Sequence, residues 1–159
     1  MPAARHVVLD PMTPDEFAPY LEALIVAYAQ ENVETGRWSA EQAVAQSRAN
    51  ICSLLPEGLD TTNHYLWVAR DAGVPVGVLW IGREPWGAST QAYIFDLEVR
   101  AERRGQGYGR AIMAAAAEQS RQLGATSIGL HVHGPNAIAR ALYASLGYRE
   151  TDVTMRLDL

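Results

Sequence analysis

The run from Arg103 to Arg110, RRGQGYGR, places three glycines at alternate positions between arginines. It follows the β-branched and aromatic segment YIFDLEV (93–99) and precedes the alanine-rich AIMAAAAEQ (111–119). The first composition favours a strand, the second a helix, and glycine interrupts both. The chain is therefore strand, glycine loop, helix at this point. A further strand, TSIGLHV (126–132), follows the helix, and such a strand–helix–strand unit needs a right-handed crossover. This one feature points to an α/β chain and sets the order of its C-terminal half.

The segments on either side extend the pattern. After a short strand, HVVLD (6–10), Thr13 can cap a helix, Pro14 suits its first position, and Glu16 completes a capping box. Phe17, Leu21, Leu24, Ile25 and Tyr28 keep helical spacing. A second helix is expected over SAEQAVAQSRANICSLL (39–55), capped by Ser39 and stopped by PEG. HYLWVAR (64–70) and VPVGVLWIGR (74–83) read as an antiparallel hairpin. PEGLDTTNH (56–64) and GREPWGAST (82–90) read as loops able to close over a ligand. A short helix, PNAIARALYASLG (135–147), follows the last strand, and the tail YRETDVTMRLDL (148–159) is expected to return as one or two strands. The order β-α-α-β-β-β-α-β-α-β describes a mixed sheet layered with helices.

The 159 residues fit one domain, 1–159. No apolar run approaches the ~20 residues that span a bilayer, and the N-terminus lacks a secretory signal, so neither a membrane nor export is expected. The single Cys52 and the absence of zinc-ligand spacing leave no disulfide and no metal site, which makes cytoplasmic the default. Residues 1–60 carry nine acids and three arginines; residues 61–159 carry nine acids and ten arginines. With a net charge of −5 and no basic stripe, nucleic acid is not an expected partner.

Glycines at the mouth of a helix bare several backbone N–H groups where the helix dipole is positive, and Arg103, Arg104 and Arg110 add charge. The ligand such a loop would hold is a phosphate or pyrophosphate; the alternative is an ordinary turn. All 13 basic residues are arginine, so a Walker A loop, which needs lysine, is excluded. The spacing G-x-G-x-G is not the dinucleotide fingerprint G-x-G-x-x-G, and the next strand supplies no acid, so NAD and FAD are disfavoured.

The segment LEVRAERRGQGYGRAIM resembles the cofactor motif of the GNAT superfamily of N-acetyltransferases through Arg104, Gly107 and Gly109. NAIARALYASLGY resembles that superfamily's next motif through Asn136, Ala139, Tyr143 and Gly147, one helix and one strand further on. The resemblance covers about residues 5–157 and extends to a small bacterial branch. It implies an α/β (α+β) fold with a mixed, mostly antiparallel central sheet, splayed at a cofactor wedge and flanked by about four helices. It also implies acetyl-CoA as co-substrate and no metal. The pyrophosphate would sit on amides of Gly105, Gln106, Gly107, Tyr108, Gly109 and Arg110, and the pantetheine arm on the strand end Leu97, Glu98, Val99. Direct transfer of acetyl to a primary amine of a small molecule or peptide is the expected reaction. A regulatory CoA-binding module without turnover, or a transferase of a longer acyl group, are the alternatives. Homodimers are expected within such a family, but nothing in the chain specifies an interface.

Amine acetylation needs a base, an oxyanion donor and a proton for the thiolate. The resemblance assigns the proton donor to Tyr143, and a phenol with a pKa near 10 stays protonated at neutral pH. It puts Tyr93 where relatives carry either a glutamate or a tyrosine, the latter paired through a water with a histidine matching His131. His131 with Tyr93 is therefore the leading base. Asp96 and Glu98 are the competitors, although strand alternation sends them to the face opposite Tyr93 unless a bulge intervenes. His133 ranks below His131. For the acceptor, Tyr28, Glu31, Glu34, Trp38, Trp67 and Trp80 are the candidate walls, with acids on the first helix attracting a cation.

Overall fold

The computed structural model describes residues 5–159. Five strands form one sheet in chain order: β1 (Val8–Pro11), β2 (His64–Asp71), β3 (Val74–Trp86), β4 (Ser89–Val99) and β5 (Ser127–Leu130). The first four are antiparallel, and β5 joins β4 in parallel. Helices α1 (Pro14–Glu34) and α2 (Ala43–Leu54) fill the chain between β1 and β2; α3 (Tyr108–Gln122) connects β4 to β5, and α4 (Ala137–Ser145) follows β5.

Local chemistry fixes these elements. Thr13 caps α1 by accepting from the Glu16 amide at 3.3 Å, while the Glu16 carboxylate accepts from the Thr13 amide at 3.0 Å. Arg70 on β2 bonds Glu16 and, at 3.1 Å, Asp10, so the start of α1 is tied to the sheet. α2 starts at Ala43 and not at Ser39; the Ser39 carbonyl instead accepts the Gln42 and Ala43 amides in a turn.

Strand alternation divides the core in two. Leu79, Ile81, Ala92 and Ile94 pack with Ile112, Met113 and Ala116 on the α3 face. Leu66, Val68 and Trp80 pack with Ile25, Ile51 and Leu55 beneath α1 and α2. Ser47, fully buried at the helix crossing, donates to the Ile25 carbonyl at 2.7 Å. Among the described residues no helix is long and apolar enough to cross a membrane.

Two further sequence expectations fail. The segment 82–90 is not a loop: β3 and β4 run on to Trp86 and Ser89, which pair directly across a two-residue turn. Gly87 supplies the positive φ of 58° that such a turn needs. The tail 148–159 adopts no strand, and residues 149–159 are exposed throughout. A strand needs a partner, and here the tail has left the sheet of its own chain.

Candidate active site

Beyond Val99, a short 3-10 turn (Ala101–Arg103) leads into the glycine run. Gly105 and Gly107 have φ of 71° and 88°, in the left-handed region that glycine enters without strain. Ala111 makes the first helical bond, to the Gly107 carbonyl at 3.2 Å. The amides from Gly105 to Arg110 donate to no acceptor among the described residues. Gly109 serves another purpose, because a Cβ there would meet the Leu142 side chain at 3.3 Å; it lets α3 and α4 approach. Tyr108 turns its ring into the core, donates to Asp71 at 2.7 Å and lies under Arg5, so only its backbone faces the loop. Arg104 Nε holds the Val99 carbonyl at 3.1 Å, and Arg110 reaches Ser145 at 2.7 Å. The result is a run of unpaired backbone donors at a helix N-terminus, flanked by arginines and suited to a pyrophosphate.

The sheet opens beside this loop. β5 pairs with β4 only from Gln91 to Ile94, whereas β4 continues to Val99 with β3 as its one partner. No strand pairs with β4 from Asp96 to Val99 on the side facing β5, where only Arg104 takes the Val99 carbonyl, and an extended amide-bearing chain requires such an edge. α4 packs against the start of α3, where Leu142 approaches Gly109. Asn136 caps it, accepting from the Ala139 amide at 3.1 Å, and Tyr143 lies half-buried on its inner side, 5.8 Å from the Tyr148 ring.

A bulge decides which acids enter the wedge. Tyr93 and Ile94 pair with Gly82 and Ile81, but Trp80 pairs with Asp96, leaving Phe95 as the extra residue. Asp96 therefore shares the α1 face with Trp80 and Tyr93, contrary to the alternation of an undisturbed strand. Tyr20 Oη on α1 donates to Asp96 Oδ2 at 2.9 Å. Burial pushes the Asp96 carboxyl up to about 6, opposed by the Tyr20 hydrogen bond and assisted by the charge of Glu98. The Tyr143 phenol is raised above its ordinary value by burial and then by the Asp96 charge. These two groups are electrostatically coupled across the wedge.

A cleft of about 370 Å³ opens between α1 and β4, lined by Leu24, Tyr28, Glu31, Glu34, Phe95 and Asp96. His133 Nε2 meets Glu31 Oε1 at 2.7 Å, linking the segment after β5 to α1 at the cleft's rim. Trp38 packs edge-on against Tyr28 with centroids 5.3 Å apart. Among the described residues no group of three His, Cys, Asp or Glu side chains is placed to hold a metal ion.

Residues 20–148 match the family model described as Acetyltransferase (GNAT) family. The chain belongs to the GNAT family. It is 38% identical over 154 residues to the uncharacterized N-acetyltransferase YycN of Bacillus subtilis, covering 96% of this chain and 99% of that one. A second uncharacterized N-acetyltransferase of the same bacterium, YdgE, is 31% identical, with 95% and 97% coverage. The crystal structure of YycN superposes with a TM-score of 0.91 over 96% of this chain and 98% of that one. An acetyltransferase fold from Pyrococcus furiosus, at 24% identity and a TM-score of 0.70, shares the architecture. The protein is thus a GNAT acetyltransferase of bacterial type, with the mixed, mostly antiparallel sheet that the motifs implied.

Within this GNAT domain the candidate residues fall into three groups. Leu97 to Val99 end β4, Arg104 to Arg110 lead into and begin α3, and Asn136, Ala139 and Tyr143 cap or lie on α4. Tyr93 and His131 approach from β4 and the end of β5, but no hydrogen bond joins them; His131 is exposed and meets the His133 ring edge-on at 5.1 Å. Trp80 is only 2% exposed, with its indole N–H given to His64 at 3.0 Å, and it stands behind Phe95. Trp67 lies in the α3-side core, so it lines no part of the cleft. Sequence reasoning missed Tyr20, which was readable only as one more residue on the apolar face of α1, and the Glu31–His133 pair.

Proposed function

We propose that this GNAT domain is an acetyl-CoA-dependent N-acetyltransferase that acetylates a primary amine by direct transfer in a ternary complex. The observation that carries the donor assignment is the run of unpaired amides from Gly105 to Arg110 at the N-terminus of α3, continuous with the unpaired end of β4. Those amides, with Arg104 and Arg110 beside them, would hold the pyrophosphate of the co-substrate, and the backbone of Leu97 to Val99 its pantetheine amides. Acetyl-CoA, when bound, supplies an activated acetyl thioester.

The chain's own groups provide the proton traffic. Glu31 and Glu34 at the cleft draw in an ammonium, and Asp96 Oδ removes its proton. At a pKa of about 6, Asp96 is about two units closer to an amine than an ordinary carboxylate, worth roughly 3 kcal/mol of proton-transfer driving force. A backbone amide near Leu97 to Val99 would offer a hydrogen bond to oxygen charge in the wedge. Tyr143 Oη, held protonated by burial and by Asp96, donates to the departing thiolate. Asp96 is preferred over the His131–Tyr93 pair because the bulge aims it at the cleft and Tyr20 fixes it, whereas His131 is exposed.

Calorimetric titration with acetyl-CoA, CoA and NAD, followed by thiol release with a panel of primary amines, tests the reading. Binding of both CoA species but not NAD, and amine-dependent thiol release, are the expected results. Failure to bind either CoA species overturns the donor assignment, and binding without turnover on any amine favours a regulatory module.

A further inference from the structure

His64 takes no part in the proton traffic proposed above, yet its ring joins the aromatic cluster behind the cleft. It opens β2 opposite Gly82 of β3, and the backbone around it is held from both sides. The His64 amide donates to the Thr61 carbonyl at 3.2 Å, and the Asn63 carbonyl accepts the Arg83 amide at 2.8 Å. Asn63 reaches this place with a φ of 62°, in the left-handed region that Asn tolerates better than most residues. The imidazole is thereby delivered beside Trp80 and Phe95, with ring centroids 5.7 Å and 5.3 Å away.

Those neighbours fix its chemistry. Trp80 Nε1 donates to His64 Nδ1 at 3.0 Å. An indole nitrogen can only donate, so Nδ1 is bare and the neutral ring carries its hydrogen on Nε2. Trp80 is 2% exposed, and among the described residues His64 is the partner of its N–H. A proton added at Nδ1 would set two donors against each other and leave a buried N–H without an acceptor. Burial already holds the His64 pKa below its ordinary 6.5, opposed by the charge of Glu84 on β3. Gly82 and Trp80 on β3 and Phe95 on β4 present no titratable group to the ring, and the Tyr93 phenol lies beyond Phe95.

Phe95 is the residue that this bond serves. It is the extra residue of the β4 bulge, and it lines the cleft. Its ring stacks on Trp80 at 4.8 Å, meets Tyr93 edge-on at 5.0 Å, and lies so close over Gly82 that a Cβ there would stand 2.4 Å from it. Three rings therefore box it in, and the bond to His64 sets the orientation of the indole among them. Asp96 follows directly and pairs with Trp80 across the strands. We infer that His64 is a positioning residue for the acceptor site: its neutral Nδ1 locks the Trp80 indole, against which Phe95 and the bulge before Asp96 are held, and its protonation releases them. This rests on the reading of the cleft between α1 and β4 as the place of the amine. It adds to that reading a wall whose packing follows the charge of a residue that does not itself line the cleft.

Nitrogen-15 NMR of the full chain tests the bond and needs no variant. At about pH 8 the His64 ring should show a bare Nδ1 and a protonated Nε2, and the Trp80 indole N–H should exchange slowly. On acidification the indole resonance should shift together with the His64 titration, at a midpoint below 6.5. His64→Leu removes the acceptor and should raise the amine KM several-fold, with acetyl-CoA affinity in calorimetry unchanged. His64→Asn places Oδ1 where the imidazole has Nδ1 and does not titrate, so it should restore the amine KM and abolish the indole shift that tracks His64. A proton on Nδ1 at about pH 8, an indole resonance that ignores the His64 titration, or a Leu variant with the parental amine KM would each overturn the inference. So would an Asn variant no better than the Leu variant. If no amine is turned over, the acceptor reading fails, and the NMR arms alone decide whether His64 holds the Trp80–Phe95 wall.

Discussion

Tyr20 on α1 donates its hydroxyl proton to Asp96 on β4 at 2.9 Å, joining helix to sheet beside the cleft. Two features of the chain make this contact. The bulge at Phe95 turns Asp96 toward α1. The apolar face of α1 then brings Tyr20 into the same layer as Trp80 and Phe95, where water is scarce. Burial there outweighs the hydrogen bonds from Tyr20 and the Leu97 backbone, which is why its pKa rises to about 6.

The first prediction concerns pH. If Asp96 takes the proton, kcat/KM should rise through a limb near pH 6 as that carboxyl ionises. Tyr20→Phe removes a hydrogen bond that favours the carboxylate, so the limb should move to higher pH. Asp96→Asn should lower kcat by about 10²–10⁴-fold and abolish the limb. A limb unchanged in both variants, but lost in His131→Ala, would transfer the base role to His131.

The same shift has a consequence for stability. Asp96 has a folded pKa raised above its ordinary 3.8 to about 6, so the native state holds its proton more tightly than the unfolded chain does. The associated stability is fully present below about pH 4 and is lost as pH rises through about 6, amounting to about 3 kcal/mol. Asp96→Asn removes that loss. Urea denaturation should therefore find the variant more stable than the parent at about pH 8, with the difference shrinking towards about pH 4.

Much of this site is legible in the sequence because its parts are local. The loop from Gly105 to Arg110 announces itself by glycines between a strand former and a helix former, and Asn136 and Thr13 mark helix starts by their own side chains. What escapes is whatever a partner decides. The bulge at Phe95 exists only in the register of β4 against β3, which leaves no trace in the order of residues. The extension of β3 and β4 through GREPWGAST depends on cross-strand pairing that outweighs the turn preference of Pro85 and confines the turn to Gly87 and Ala88. The tail has a strand's alternation but no strand of its own chain to pair with.

The donor loop gives a prediction separable from folding. Gly105 has φ of 71°, and no atom lies within 4 Å of the place a Cβ would occupy. Gly105→Ala therefore costs only the left-handed strain, about 1–2 kcal/mol, yet it adds a methyl group and a conformational bias to the loop that carries the amides. Gly36 has the same φ of 71° and the same open surroundings, away from the loop. Gly36→Ala should lose similar stability in thermal melts, whereas only Gly105→Ala should weaken acetyl-CoA binding, by roughly tenfold or more in calorimetry.

Tyr143 should behave as a group used after binding. Tyr143→Phe keeps the ring that packs near Tyr148 and removes the hydroxyl. The expected outcome is a fall in kcat of about 10²-fold or more, with acetyl-CoA affinity changed less than about threefold. Equal losses in affinity and kcat would mean that the phenol holds the co-substrate and does not donate a proton.

The acceptor side can be perturbed alone through Gly82. A Cβ there would stand 2.4 Å from the Phe95 ring and 3.3 Å from His64. Phe95 cannot retreat freely, since it stacks on Trp80 at 4.8 Å and meets Tyr93 edge-on at 5.0 Å. Gly82→Ala must therefore push the ring toward the cleft it lines. The KM for the amine should rise several-fold, and calorimetry should find acetyl-CoA affinity unchanged because the Gly105–Arg110 loop is untouched. A variant that loses acetyl-CoA affinity in parallel would mean that the bulge at Phe95 also sets the β4 edge, joining donor and acceptor sites through one residue.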